Sequence, residues 1–166
     1  MIAWEGDIMI KDSLRAKVDR FLGFKKIAVC GVSEENKDSV ANIVYNKLKD
    51  AGYTVYGVNP KAGKSEQDTR YPDLSSLPEP VEGVFAATRP EDTLKIAEEC
   101  SRQKIAWLWL HRSFGTGSVS NDTIAYCNKN GIVVIAGGCP MMFCEPVDIA
   151  HKCLRGWLSL TNKLPA

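Results

Sequence analysis

The sequence predicts an α/β fold: a single doubly wound domain in which a five-stranded parallel sheet carries helices on both faces. Three observations predict it. From Lys25 onward short β-branched runs alternate with helical segments. The β-type runs are apolar almost throughout, as strands covered on both faces are. Turn and capping residues fall at the junctions between the two kinds of segment.

Taken in order, the stretch IKDSLRAKVDRFL places Ile10, Leu14, Val18, Phe21 and Leu22 on one stripe and predicts a first helix, packed on the sheet's edge or on a neighbour. KKIAVCGV reads as the first strand. In NIVYNKLKDAG the positions Val40, Val44, Leu48 and Ala51 share a helix face, and Gly52 follows as a C-terminal cap. YTVYGV is the second strand, and the proline-rich DLSSLPEPVEG at 73–83 is a connection rather than a domain linker. VEGVFAAT is the third strand. Pro90 opens the next helix with Glu91 and Asp92 in its first turn, where the helix dipole favours acids. KIAWLWL is the fourth strand, SNDTIAYCNKNG a helix ended by Asn130 and Gly131, and IVVIAGG the fifth strand. EPVDIAHKCLRGWLSL is a closing helix with Pro146 at its start and Val147, Ala150, Leu154, Trp157 and Leu158 on one face. These readings divide the chain into an N-terminal helical segment, 1–23, and a Rossmann-like domain, 24–160, that includes the closing helix. Internal repeats and low-complexity tracts are absent from the sequence.

Composition bounds the function. A chain of 166 residues, 45% hydrophobic and 25% charged, is enough for one well-buried core. Twenty-one basic against twenty acidic residues leave no global field to draw nucleic acid or a membrane surface, so any anion site is local. The opening MIAWEGDIMIKD lacks a basic start followed by a long apolar run, and nothing approaches a membrane span. Six cysteines without an export signal or a disulfide-type spacing are expected to be thiols in a reducing cytoplasm.

In an open parallel sheet the ligand crevice lies beyond the carboxyl ends of the strands, where strand order reverses. Five segments meet there: GVSEENK, NPKAGK, TRP, HRSFGTG and GGCPMMF. The first supplies Gly31, an open backbone at Val32 and Ser33, and a helix amino end near Asp38 and Ser39 suited to a phosphate. It is not Gly-x-Gly-x-x-Gly, since Ser33 stands where the second glycine would admit a pyrophosphate and Asn36 where the third would let helix and strand pack. The second strand ends in Asn59, Pro60 and Lys61, where a site for a free ribose hydroxyl would carry an acid. Proline restrains the residue before it and aims the strand's exit. Lys37, Lys61, Lys64 and Arg89 bring positive charge to the crevice mouth, with Arg89 set against Pro90.

The pattern IAVCGVS, GYTVYGVNPK, a strand ending in TRP, WLWLH, and Cys-Pro after the fifth strand resembles the stand-alone CoA-binding domain proteins. It is similar too to the amino-terminal CoA-binding domain of the succinyl-CoA synthetase α chain and of nucleoside-diphosphate-forming acyl-CoA synthetases. The resemblance covers residues 24–143. It implies that Gly31, Val32 and Ser33 contact the pyrophosphate and adenosine side of CoA, that Lys61 lies near the phosphorylated ribose, and that Thr88 and Arg89 line the crevice. Leu110 and His111 would flank the adenine or the pantetheine arm. The chain departs from the pattern at His111, where many relatives carry glutamine, and in the longer glycine-containing loop RSFGTGSVSND, which leaves the pantetheine path open. A partner domain with a phosphorylated histidine is not part of the sequence, so a ligase acting alone is not expected.

Other residues point to chemistry less directly. His111 has an ordinary pKa suited to a base or a hydrogen-bond partner, yet no nucleophile with an orienting carboxylate accompanies it in sequence, so no catalytic residue is assigned. His151 is read as a helix residue. Cys139, Cys144, His151 and Cys153 lack the paired Cys-x-x-Cys spacing of a zinc site, so no metal is expected, while Cys139 could face the crevice as a thiol. The two indoles of WLWL are expected to pack against flanking helices rather than stack on bases. The reading that results is a cytoplasmic module that holds coenzyme A or an acyl-CoA without ligase activity, a sensor or accessory protein that pairs with itself or with a partner enzyme through its terminal helices. The alternatives are an NAD(P)-dependent oxidoreductase, in which Lys61 or Arg89 meets a 2′-phosphate, and an interaction scaffold that has lost ligand binding.

Overall fold

The computed structural model describes residues 13–63 and 70–161; Ile10 and Lys64, named above, lie outside them. Helix α1 (Leu14–Leu22) leads into strand β1 (Lys26–Cys30), followed by α2 (Val40–Asp50) and β2 (Thr54–Val58). After a 3₁₀ turn (Leu74–Ser76) come β3 (Gly83–Ala86), α3 (Pro90–Arg102), β4 (Trp107–Leu110), α4 (Asn121–Lys129) and β5 (Val133–Ala136). A second 3₁₀ turn (Pro140–Met142) precedes α5 (Ile149–Leu160). The five strands form one parallel sheet in the order β2-β1-β3-β4-β5, so the order reverses between β1 and β3. This is the Rossmann-like α/β architecture the alternation of elements predicts.

The period-two alternation of strand side chains sorts the core into two layers. Ile27, Val29, Phe85, Trp107, Trp109 and Ile135 face α1, α2, α5 and the second 3₁₀ turn, where Val18, Phe21, Val44, Leu48, Leu158 and Met142 meet them. Ala28, Val84, Ala86, Leu108 and Leu110 face α3 and α4, against Ala97, Cys100 and Cys127. The first layer is aromatic: the Trp109 ring meets Phe21 edge-on at 5.3 Å and Phe85 at 6.0 Å, and its indole N–H donates to the carbonyl of Gly137 at 2.8 Å. That bond satisfies the one polar atom of a wholly buried side chain. Among the described residues no helix is long and apolar enough to cross a membrane.

Two helix faces differ from the sequence pattern. On α2 the buried stripe is Ala41, Val44 and Leu48, while Val40 is exposed and Ala51 lies outside the helix. Both phases share Val44 and Leu48, and the small Ala41 is the residue that fits beneath the helix's first turn. On α5 Asp148, not Pro146, caps the helix, its Oδ1 accepting from the N–H of His151. Only Leu158 is then fully buried; Leu154 is partly packed, Ala150 is exposed, and Trp157 is half-exposed, its ring turned toward Phe114 in the loop after β4. Val147 is buried ahead of the helix.

Candidate functional site

The chain leaves β1 through Gly31, whose φ of +103° and 2.6 Å approach of a notional Cβ to the carbonyl of Ala87 exclude any side chain there. Its N–H donates to the carbonyl of Val58. The β1 exit is thereby stitched between the exits of β2 and β3, at the reversal of strand order. Val32 folds over Gly57 and is buried. Its carbonyl accepts from the Asn59 side-chain amide at 2.8 Å, while Asn59 Oδ1 accepts from the backbone N–H of Lys61 at 2.8 Å. One asparagine therefore clamps the first loop to the second strand's exit, and Pro60 sits inside the clamp.

Ser33 is placed differently from its sequence reading. Its N–H donates to Asn42 Oδ1 and its carbonyl accepts from Asn42 Nδ2, both at 2.7 Å, so the backbone there is closed rather than open. The Val32 carbonyl is likewise taken by Asn59. The reason is that Asn42, in the first turn of α2, presents a side-chain amide whose oxygen and nitrogen match the backbone donor and acceptor of one residue. The Ser33 hydroxyl accepts from the N–H groups of Glu35 and Asn36 and holds the rest of the loop.

The cations divide into three kinds. The Lys61 side chain is 71% exposed, with Nζ 4.0 Å from Glu35 Oε2, and Lys37 is exposed. Arg89 is drawn onto its own helix, Nε donating to Asp92 at 2.9 Å with Glu91 at 3.4 Å, and these carboxylates, Asp92 first, raise its pKa. Arg70, absent from the sequence assignment, is the third kind: only 11% exposed, with Nη2 3.3 Å from Glu34 and Nη1 3.4 Å from the carbonyl of Val32. The chain after β2 returns beside that strand, Tyr71 bridging to Val58, and this return delivers Arg70 to the first loop. No local pattern marks such a return; only the pairing reveals it.

Across the crevice, the Thr88 carbonyl accepts from the hydroxyl of Ser118 at 2.6 Å. Leu110 is wholly buried against α3 and α4, so it shapes the floor beneath the crevice. His111 stands at the rim with Nε2 3.1 Å from Ser113 Oγ and its ring edge-on to Phe85. Burial lowers its pKa, so the ring is neutral near neutral pH. Cys139 is buried, and desolvation pushes its thiol up to about 11, which keeps it from being a nucleophile. His151 pairs at 2.6 Å with Asp148, the cap of its own helix α5. Among the described residues no group of three or more His, Cys, Asp or Glu is placed to hold a metal ion. Two concavities, of about 210 and 370 Å³, lie at the entry ends of the strands, one beside Pro80 and Ile105 and one between Gly23 and Tyr53.

A family model described as a CoA binding domain matches residues 25–145. No curated protein matches the chain. Among solved structures, a hypothetical protein from Pyrococcus horikoshii OT3 is similar with a TM-score of 0.68 and 24% identity over 82% of this chain and 93% of that one. A conserved hypothetical protein from Pyrococcus furiosus has a TM-score of 0.58 and 28% identity, covering 69% and 94%. The apo form of the dinucleotide-forming acetyl-coenzyme A synthetase 1 of Ca. Korarchaeum cryptofilum has a TM-score of 0.59 and 19% identity, and covers 71% of this chain but 27% of the enzyme. The chain thus spans about a quarter of that synthetase.

Proposed function

The chain belongs to the CoA binding domain family, and on that premise we propose that it binds coenzyme A or an acyl-CoA in the crevice at the carboxyl ends of its strands, without ligase activity of its own. Its role is then that of a sensor or accessory module in a reducing cytoplasm. The residues proposed to meet the nucleotide are Gly31, Val32 and Ser33 in the first loop, with Lys37 beside it, Asn59, Pro60 and Lys61 at the second strand's exit, Thr88 and Arg89 after the third, and His111 at the rim above Leu110. The observation that carries the reading is the Asn59 clamp. It fixes the backbone of Lys61 next to the first loop while leaving the ammonium exposed and only loosely paired. A cation held there suits a ribose that bears a phosphate, as CoA's does. With Ser33 already bonded to Asn42, the pyrophosphate has side-chain donors rather than a glycine-lined cradle to meet, which speaks against a tight NAD site.

Calorimetric titration of CoA, dephospho-CoA, NADP and NAD into the wild type and Lys61→Ala tests the reading. CoA is expected to bind best. Removing either its 3′-phosphate or the Lys61 ammonium is expected to weaken it by about 1 to 2 kcal/mol, roughly 5- to 30-fold. Equal affinity for CoA and dephospho-CoA would remove Lys61 from the site, and NADP binding above CoA would favour an oxidoreductase.

A further inference from the structure

The loop after β4 carries Phe114, which forms with Trp157 of α5 an exposed aromatic pair that the nucleotide site does not use. Phe114 is 68% exposed and Trp157, on α5, is 47% exposed, with ring centroids 6.4 Å apart at 40°. Large apolar groups left side by side at the surface mark a place where something apolar is received.

The loop is held rather than loose. The N–H of Ser118 donates to the carbonyl of His111 at 2.7 Å, closing the loop's neck, and the Ser118 hydroxyl ties that neck to Thr88. The N–H of Arg112 donates to the carbonyl of Gly138 beyond β5. Gly117, with φ +56°, permits the closure, since a Cβ there would lie 2.3 Å from the His111 carbonyl. Phe114 is therefore presented from a neck anchored to the exits of both β3 and β5, on the crevice end of the sheet.

Position along the sheet suggests the occupant. Lys61 lies in the loop after β2 and Phe114 in the loop after β4, and those two strands are three inter-strand steps apart in the order β2-β1-β3-β4, about 14 Å at roughly 4.8 Å per step. An extended pantetheine arm has the length to cross such a gap, passing the Thr88 and His111 rim, and delivers its sulfur to the aromatic pair. We propose that Phe114 and Trp157 form an acyl subsite, so that the protein selects a CoA thioester with an apolar acyl chain over free CoA. The proposal rests on the reading of the crevice as a CoA site. Two adjacent aromatic rings offer an alkyl chain an apolar surface, and each methylene removed from water adds about fourfold in affinity.

The test is calorimetry of CoA and octanoyl-CoA with the wild type, Phe114→Ala and Trp157→Ala, each checked for folding by circular dichroism. The wild type is expected to bind octanoyl-CoA at least about tenfold tighter than CoA, and the ratio is expected to fall toward one in both variants. CoA binding with no preference for octanoyl-CoA, or a ratio that survives both substitutions, overturns the subsite and leaves the CoA reading standing. Absence of binding by either compound to the wild type overturns the CoA reading and the subsite together.

Discussion

Two carboxylates of the first loop hold the cations that a phosphate would meet: Glu35 stands 4.0 Å from Lys61, and Glu34 stands 3.3 Å from Arg70. A bound nucleotide has to compete with them. An exposed pair such as Glu35–Lys61 is worth about 0 to 1 kcal/mol, so Glu35→Gln is expected to tighten CoA by up to about fivefold at low salt, and calorimetry in half-molar salt is expected to erase the gain. An unchanged affinity at low salt would mean that Glu35 does not contest the phosphate. His111 allows a second measurement. Burial lowers its folded pKa from 6.5, so its contribution to stability is complete above that value and is lost as pH falls toward the folded pKa. The stability of the wild type relative to His111→Gln is expected to shrink between pH 7.5 and 5 in urea denaturation, and a flat difference would show that the ring is not desolvated. The aimed Asn-Pro-Lys exit that carries Lys61 was legible in neighbouring residues. Arg70 was not, because its place depends on Tyr71 pairing with Val58 across a loop that sequence leaves unshaped.

At the scale of elements, two close fits hold the structure, one at the crevice and one at the opposite end of the sheet. Asn59 joins the loop after β1 to the exit of β2 through two hydrogen bonds at 2.8 Å. Asn59→Ala is expected to cost about 1 to 3 kcal/mol of stability at roughly 0.5 to 1.5 per bond, and to weaken CoA binding along with it. Stability near wild type in guanidinium titration would show that the clamp is not what holds the two loops. The second fit is α1 on β3: a Cβ at Gly83 would lie 2.7 Å from the Phe21 ring, which is wholly buried. Gly83→Ala is expected to lose about 1 to 3 kcal/mol through overpacking, read by the same titration. The strands and helices were legible from apolar runs, from Pro90 and from Gly52 and Gly131, since these are local preferences. The phases of α2 and α5 were not. Val40 and Ala41 are equally plausible beneath α2 by spacing, and on α5 the Asp148 cap and the loop carrying Phe114 decide that Trp157 turns outward.

For the whole molecule, five of the six thiols are buried in the two core layers or beside them, and only Cys153 is exposed. Burial raises Cys30, Cys100, Cys127, Cys139 and Cys144. One thiol is therefore expected to react quickly with an aromatic disulfide reagent in the native state, none in Cys153→Ser, and all six after guanidinium unfolding, with the slow five reporting the opening of the core. Cys139 reacting as fast as Cys153 would show that the crevice floor is open to solvent. The sequence by itself determined the fold class, the order of elements and the segments that converge on the crevice, because periodicity, capping and apolar runs are written in neighbouring residues. Its reading of Val-Asn-Pro-Lys as an aimed strand exit belongs to the same local kind. Only the tertiary structure decided that Ser33's N–H and carbonyl are taken by Asn42, that Arg89 pairs with Asp92 on α3 while Arg70 comes to the first loop, and that Phe114 meets Trp157. Each of these is a competition among distant groups for the same donor, acceptor or surface, and which group wins is set by the distances folding creates.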